Sequence, residues 1–172
     1  MRPPRIALFL TLILAACVGE AEKASRSGLG PSAAEKTTQE VAEAPTLPRP
    51  EFVKAAHGPV PALVRAALDQ AGAGRTVLVY VGAQWCEPCT RFHDAVQAGE
   101  LDEPLKGVLF IEFDSDHDGE RLSSAGYDGK LIPRFVVPNL EGDASPRRVE
   151  GGIKGAGAVQ HIMRRLAPML TK

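Results

Sequence analysis

The most constraining stretch of this chain lies between Thr76 and Gln97. Thr76 to Val81 is a continuous, mostly apolar run, the pattern of a strand buried on both faces. Gly82 and Ala83 follow, then Gln84-Trp85-Cys86-Glu87-Pro88-Cys89. From about Cys86 to Gln97 the pattern turns helical, with Phe92, Ala95 and Val96 inward. Two cysteines separated by two residues can close a small disulfide ring, and here they sit where a strand hands over to a helix. The first sulfur of such a pair faces unpaired backbone N–H groups and the positive end of the helix dipole. Both favour the thiolate, the form that attacks disulfides. Cys89 lies one turn on, within reach to resolve a mixed disulfide. Pro88 suits the first turn of a helix. The carboxyl edge of a sheet is also where open α/β folds place their sites.

The elements around this core alternate. Residues 59 to 71 read as a helix with Val60, Leu63, Val64, Ala67, Leu68 and Ala71 on one face, opened by Pro59 and Pro61 and ended by Gly72 and Gly74. Val108 to Phe113 is a second buried strand, residues 118 to 126 a short helix, Arg134 to Val137 a third strand, and Arg147 to Glu150 a fourth after a turn at Gly142-Asp143. Val159, Ile162, Met163, Leu166 and Leu170 mark an amphipathic final helix. The order predicts an α/β domain over residues 51 to 172, a central mixed sheet flanked by helices, with parallel pairs from the alternation and a hairpin from the last two strands.

The amino end has a different character. Arg2 and Arg5 precede Ile6 to Ala16, an uncharged run of 11 residues, well short of the roughly 20 needed to span a membrane. It ends in Leu14-Ala15-Ala16-Cys17, which resembles the bacterial lipoprotein box. That resemblance implies cleavage after residue 16, a diacylglycerol group on the Cys17 thiol and an extracytoplasmic chain held on a membrane by its acyl chains. Val18 follows the cysteine, with no acidic residue to suggest inner-membrane retention, so the outer membrane is favoured. Residues 17 to 50 have no aromatic residue and few large apolar ones, so they read as a disordered tether, stiffened by Pro45, Pro48 and Pro50. The net charge of −1 gives no basic excess for nucleic acid. Three cysteines are too few for a disulfide scaffold.

Trp85-Cys86-Glu87-Pro88-Cys89, then Ile132-Pro133, in this order of strands and helices, resemble the thioredoxin superfamily over about residues 59 to 171. The Gly82-Ala83 lead-in and Phe92 are similar to the C-terminal domain of the transmembrane thiol-disulfide interchange reductase. The resemblance implies a thioredoxin-like fold and a thiol-disulfide oxidoreductase whose redox group is the Cys86–Cys89 disulfide, with no other cofactor. Cys86 would attack a substrate disulfide and Cys89 would release the reduced product. Pro133 would be a cis-proline beside the cysteines, the backbone of Ile132 would pair with an extended substrate segment, Trp85 would shape the rim and Pro88 would set the helix entry. The implied partners are disulfide-containing proteins and a thiol electron donor or acceptor.

Two positions depart from the family pattern. Thioredoxins carry a buried Asp six residues ahead of the first cysteine, where this chain has Tyr80. Proton transfer to and from Cys89 must then use another group, such as water or Glu87. Glu87 itself replaces a small residue, and a carboxylate beside Cys86 should raise the thiol pKa and make the dithiol a better reductant. Other uses of the same residues compete. Cys86, Cys89 and His93 could ligate a metal in a carrier, although His93 reads as an exposed helix residue. A static disulfide would make the domain a non-catalytic interaction module. Asp114 to Gly119 matches half of a calcium loop, but Ala125 stands where the closing Glu belongs, so it reads as a turn capped by Asp116 or Asp118. His57, His117 and His161 read as surface residues without partners, and Arg147-Arg148 and Arg164-Arg165 as solvated faces.

Overall fold

The computed structural model describes residues 47–171. The expected signal, Cys17 and the tether up to residue 46 lie outside the described residues. Nine elements follow in order: β1 (Glu51–Lys54), α1 (Val60–Ala71), β2 (Thr76–Gly82), α2 (Glu87–Gln97), β3 (Val108–Asp114), α3 (Gly119–Ser124), β4 (Arg134–Pro138), β5 (Ala144–Glu150) and α4 (Ala158–Leu170). The strands form one mixed sheet in the order β1-β3-β2-β4-β5. β3 runs parallel to both β1 and β2, while β4 is antiparallel to β2 and to β5. The expected hairpin is β4–β5. β4 departs from the parallel pairing expected of alternating strands and helices: it returns through α3 to lie antiparallel beside β2.

β2 sits at the centre with a strand on each side, so its side chains are shared between two cores. Leu78 and Tyr80 face α2 and α4, where they pack with Phe92, Phe110, Phe135, Ile162 and Leu166. Val77, Val79 and Val81 face the other way, against Val60, Val64, Leu122 and Val136. This is why the run shows no alternation: both faces are covered, and each position from Val77 to Gly82 is buried. The α2 stripe of Pro88, Cys89, Phe92, Ala95 and Val96 recurs at helical spacing and is buried throughout.

β1 is an element that the sequence pattern did not announce. It has four residues, two of them charged, and only Phe52 turns well inward. An edge strand pairs on one side alone and tolerates charge, so neither length nor apolarity marks it. Phe52 stacks on Phe110 with ring centroids 4.7 Å apart. The folded part also begins earlier than residue 51. The Pro48 carbonyl accepts a hydrogen bond from the Gly107 N–H (2.8 Å), Pro50 is buried and Arg49 pairs with Asp102 at 2.6 Å. Leu47–Pro50 therefore pack on the domain, four residues that composition had assigned to the tether. Among the described residues, no helix is long and apolar enough to cross a membrane.

Candidate active site

Cys86 occupies the N-cap of α2, with extended backbone angles (φ −84°, ψ 99°), and is disulfide-bonded to Cys89 with 5.2 Å between the Cα atoms. Its Sγ accepts the backbone N–H of Cys89 at 3.3 Å. A sulfur thus fills the place that a serine or aspartate oxygen usually takes at a helix start, and it meets the positive end of the dipole. On reduction the same donor would stabilise a Cys86 thiolate. Both cysteines are largely buried: Cys86 is 4% exposed and Cys89 is 2% exposed. Of the two, Cys86 offers slightly more surface to solvent.

The rim beside Cys86 is apolar and comes from three loops. Trp85 is 70% exposed, and its indole Nε1 donates to Asp116 Oδ2 at 2.7 Å. Leu131 and Ile153 are also exposed. The Ile132–Pro133 peptide is cis, and the Pro133 carbonyl accepts the Gly151 N–H at 2.8 Å. Gly152 then crosses over both site prolines: a Cβ there would lie 2.9 Å from Pro88 Cβ and 3.5 Å from Pro133 Cδ. A side chain at this position would push into the wall of the site, so the close approach requires glycine.

Glu87 is not the free carboxylate that its place beside Cys86 suggested. Its Oε1 accepts Arg91 Nε at 2.7 Å and the Gly155 N–H at 3.1 Å. The Arg91 hydrogen bond first, and then the Gly155 one, hold Glu87 below its ordinary range. The guanidinium offsets the negative field at Cys86, and the engaged carboxylate is poorly placed to serve Cys89 as a base. The i, i+4 spacing of Glu87 and Arg91 was a readable signal for this pair.

On the inner side, Cys89 lines a cleft of about 460 Å³ together with Tyr80, His93 and Glu112. Tyr80 is buried, and burial first, then the charge of Glu112, push its hydroxyl well above its ordinary value. It stays protonated at neutral pH. Its ring lies over Gly82, where a Cβ would fall 2.6 Å from the Tyr80 hydroxyl. His93, expected to be exposed, is half-buried: its Nε2 lies 2.7 Å from Glu112 Oε1, and its ring stacks on Phe52 at 3.7 Å. Glu112 is a functional candidate that sequence reasoning passed over. The signal was there, as the only charge in the run Val108 to Phe113.

The other histidine and arginine expectations also change. His117 Nδ1 is 3.0 Å from Asp114 Oδ1, and His161 Nε2 is 3.4 Å from Arg165. Arg148 donates to the carbonyls of Asp128 and Gly126, and Arg165 to those of Gly151 and Glu150, so these arginines brace loops near the site. Asp118 stands at the N-cap of α3 but makes no side-chain cap; its carboxylate accepts the Asp114 N–H and Arg121 Nε. Among the described residues, no cluster of three or more His, Cys, Asp or Glu could hold a metal ion.

No family model matches the chain, and no curated protein is similar to it. Solved structures show similarity. A thioredoxin from Trichomonas vaginalis is 23% identical, with 69% of this chain and 94% of that one covered and a TM-score of 0.45. The short form of spinach chloroplast thioredoxin f is 19% identical over 75% of this chain and 99% of that one, at 0.45. Thioredoxin f2, in a complex with ferredoxin:thioredoxin reductase, is 17% identical over 73% and 99%, at 0.47. Independently of these scores, a five-stranded mixed sheet in the order β1-β3-β2-β4-β5, a cysteine pair opening the helix after the central strand and a cis-proline at the start of β4 make this a thioredoxin-like fold.

Proposed function

We propose that this chain is an extracytoplasmic thiol-disulfide oxidoreductase, tethered to a bacterial membrane by lipid on Cys17, that reduces disulfides in exported proteins through Cys86 and Cys89. One observation carries the reading: the Cys86–Cys89 disulfide opens α2, with Cys86 Sγ on the Cys89 N–H, at the meeting point of three apolar loops. A purely structural disulfide has no need of an exposed tryptophan, a cis-proline and a glycine crossing gathered around it. In the forward direction, the Cys86 thiolate attacks a substrate disulfide; one substrate sulfur leaves as a thiolate and the other remains bonded to Cys86. Cys89 then attacks Cys86 Sγ, the mixed disulfide breaks, and the substrate leaves with two more electrons than it brought. Ile132 is half-buried beside Pro133, and its backbone has no hydrogen bond to another backbone group among the described residues, which supports pairing with an extended substrate. Trp85, Leu131 and Ile153 would hold the apolar parts of such a segment. The outer membrane and a separate thiol donor complete the reading.

Trapping tests it. In the full chain carrying Cys89→Ser, expressed in an exporting bacterium, Cys86 should accumulate as mixed disulfides with exported proteins that thiol reductants release. The Cys86→Ser, Cys89→Ser double variant should hold none. An empty trap, with Cys86 still alkylated by iodoacetamide, overturns the reading in favour of a static interaction domain.

A further inference from the structure

We propose that His93 and Glu112 form a proton-transfer couple that serves Cys89. The proposal rests on the oxidoreductase reading and supplies the group that Tyr80 cannot. Cys89 is nearly sealed from the rim and must shed a thiol proton before it can attack Cys86. Its other exposure is to the inner cleft, and His93 and Glu112 both line that cleft.

The geometry favours these two residues. Cys89 and His93 are one turn apart on α2, so they project from the same face. Glu112 is the cross-strand partner of Tyr80 and lies within hydrogen-bond distance of His93 Nε2, at 2.7 Å. An imidazole that donates from Nε2 to a carboxylate keeps a lone pair on Nδ1. Its ring cannot swing freely: Phe52 stacks on one side at 3.7 Å, and the Tyr80 edge lies 5.7 Å away. The other titratable groups facing the cleft are Lys54 from β1, Tyr80 from β2, Asp114 from β3 and Asp118 at the α3 N-cap. Of these carboxylates, Asp114 is engaged by the Asp116 and His117 N–H groups, and Asp118 by Arg121. His93 and Glu112 are engaged with each other. The cleft is large and polar enough to admit water, which can bridge from Cys89 to the imidazole.

The step balances. With the substrate held as a mixed disulfide on Cys86, the Cys89 thiol proton passes to His93. The Cys89 thiolate forms the S–S bond with Cys86, the Cys86–substrate bond breaks with its electron pair on the substrate sulfur, and that thiolate takes a proton from solvent. The dithiol has been oxidised by two electrons and the substrate disulfide reduced by two. His93 gives its proton back when a donor later reduces Cys86–Cys89.

The test compares the reduced full chain with its His93→Gln and Glu112→Gln variants. The Cys89 Cβ resonance is followed by carbon-13 NMR from pH 5 to 11, and the reduction of glutathione disulfide is timed over the same range. The wild-type Cys89 curve should have two steps, one belonging to the couple. His93→Gln should collapse it to a single step and slow product release at pH 7 about a hundredfold, the lower end of the range for lost general acid–base catalysis. Glu112→Gln should move both readouts the same way, and iodoacetamide should alkylate Cys86 at an unchanged rate in both variants. A couple that merely props the fold would change melting temperature but leave the Cys89 curve alone. An unchanged curve in both variants, with wild-type turnover intact, overturns the couple only. A wild-type chain that leaves glutathione disulfide untouched overturns the oxidoreductase reading and the couple's role with it.

Discussion

At Cys86, two opposing charges decide how stable the thiolate is. The Cys89 N–H and the start of α2 favour it. Glu87 opposes it, and Arg91 cancels much of that opposition through a 2.7 Å contact. The proposed preference for reduction therefore depends on how far one exposed ion pair is formed, and such pairs are weak and screened by salt. Removing Arg91 as Arg91→Ala should free the Glu87 charge and raise the Cys86 pKa slightly, while Glu87→Gln should lower it slightly, both effects small because the pair is exposed. Thiolate absorbance at 240 nm across a pH series checks both. A higher thiol pKa destabilises the dithiol, so the Arg91→Ala protein should be the more reducing of the two against a glutathione buffer. Neither substitution touches the buried core, because both side chains are solvent-facing.

The elements that carry the site are loops held by side chains. The β3–α3 loop is the clearest case. Asp114 accepts the N–H groups of Asp116 and His117, and Asp116 in turn holds the Trp85 indole. Partial burial works against the Asp114 charge, but those backbone hydrogen bonds and His117 outweigh it and hold the carboxyl below its ordinary value. A carboxyl depressed in the folded state contributes stability that is complete above the unfolded pKa and is lost as pH falls through the folded one. The loop should therefore loosen only below about pH 4, the ordinary carboxylate value. Trp85 fluorescence should report this as a transition without change in far-UV circular dichroism, and Asp114→Asn should abolish it. A second device lies before the cis-proline. Buried Arg134 donates to the carbonyls of Tyr127 (2.7 Å) and Leu131 (3.3 Å), so the 127–131 loop is held from within.

In the whole molecule as proposed, a folded domain is joined to a lipid anchor through a segment of low apolar content. If Cys17 is the lipid attachment point, Cys17→Ser should move the protein from the membrane to the soluble fraction of the cell envelope while glutathione disulfide reduction by the purified protein stays unchanged; fractionation and a turnover assay read the two effects apart. The domain itself was largely legible beforehand, because burial on both faces leaves a continuous apolar run at Thr76–Val81, and a helix packed on a sheet leaves a periodic stripe at Phe92, Ala95 and Val96. Local spacing likewise marked Cys86 and Cys89, since a helix start brings residues three apart together. Sequence by itself thus determined the class of fold and the paired cysteines. Only the tertiary structure decided that Glu51–Lys54 completes the sheet, that β4 runs antiparallel to β2, and that Glu112 meets His93 across 19 residues of chain. The physical reason is common to all three. Edge pairing, strand direction and a charged partner across a cleft are set by what lies beside a residue in space, and no period along the chain records that.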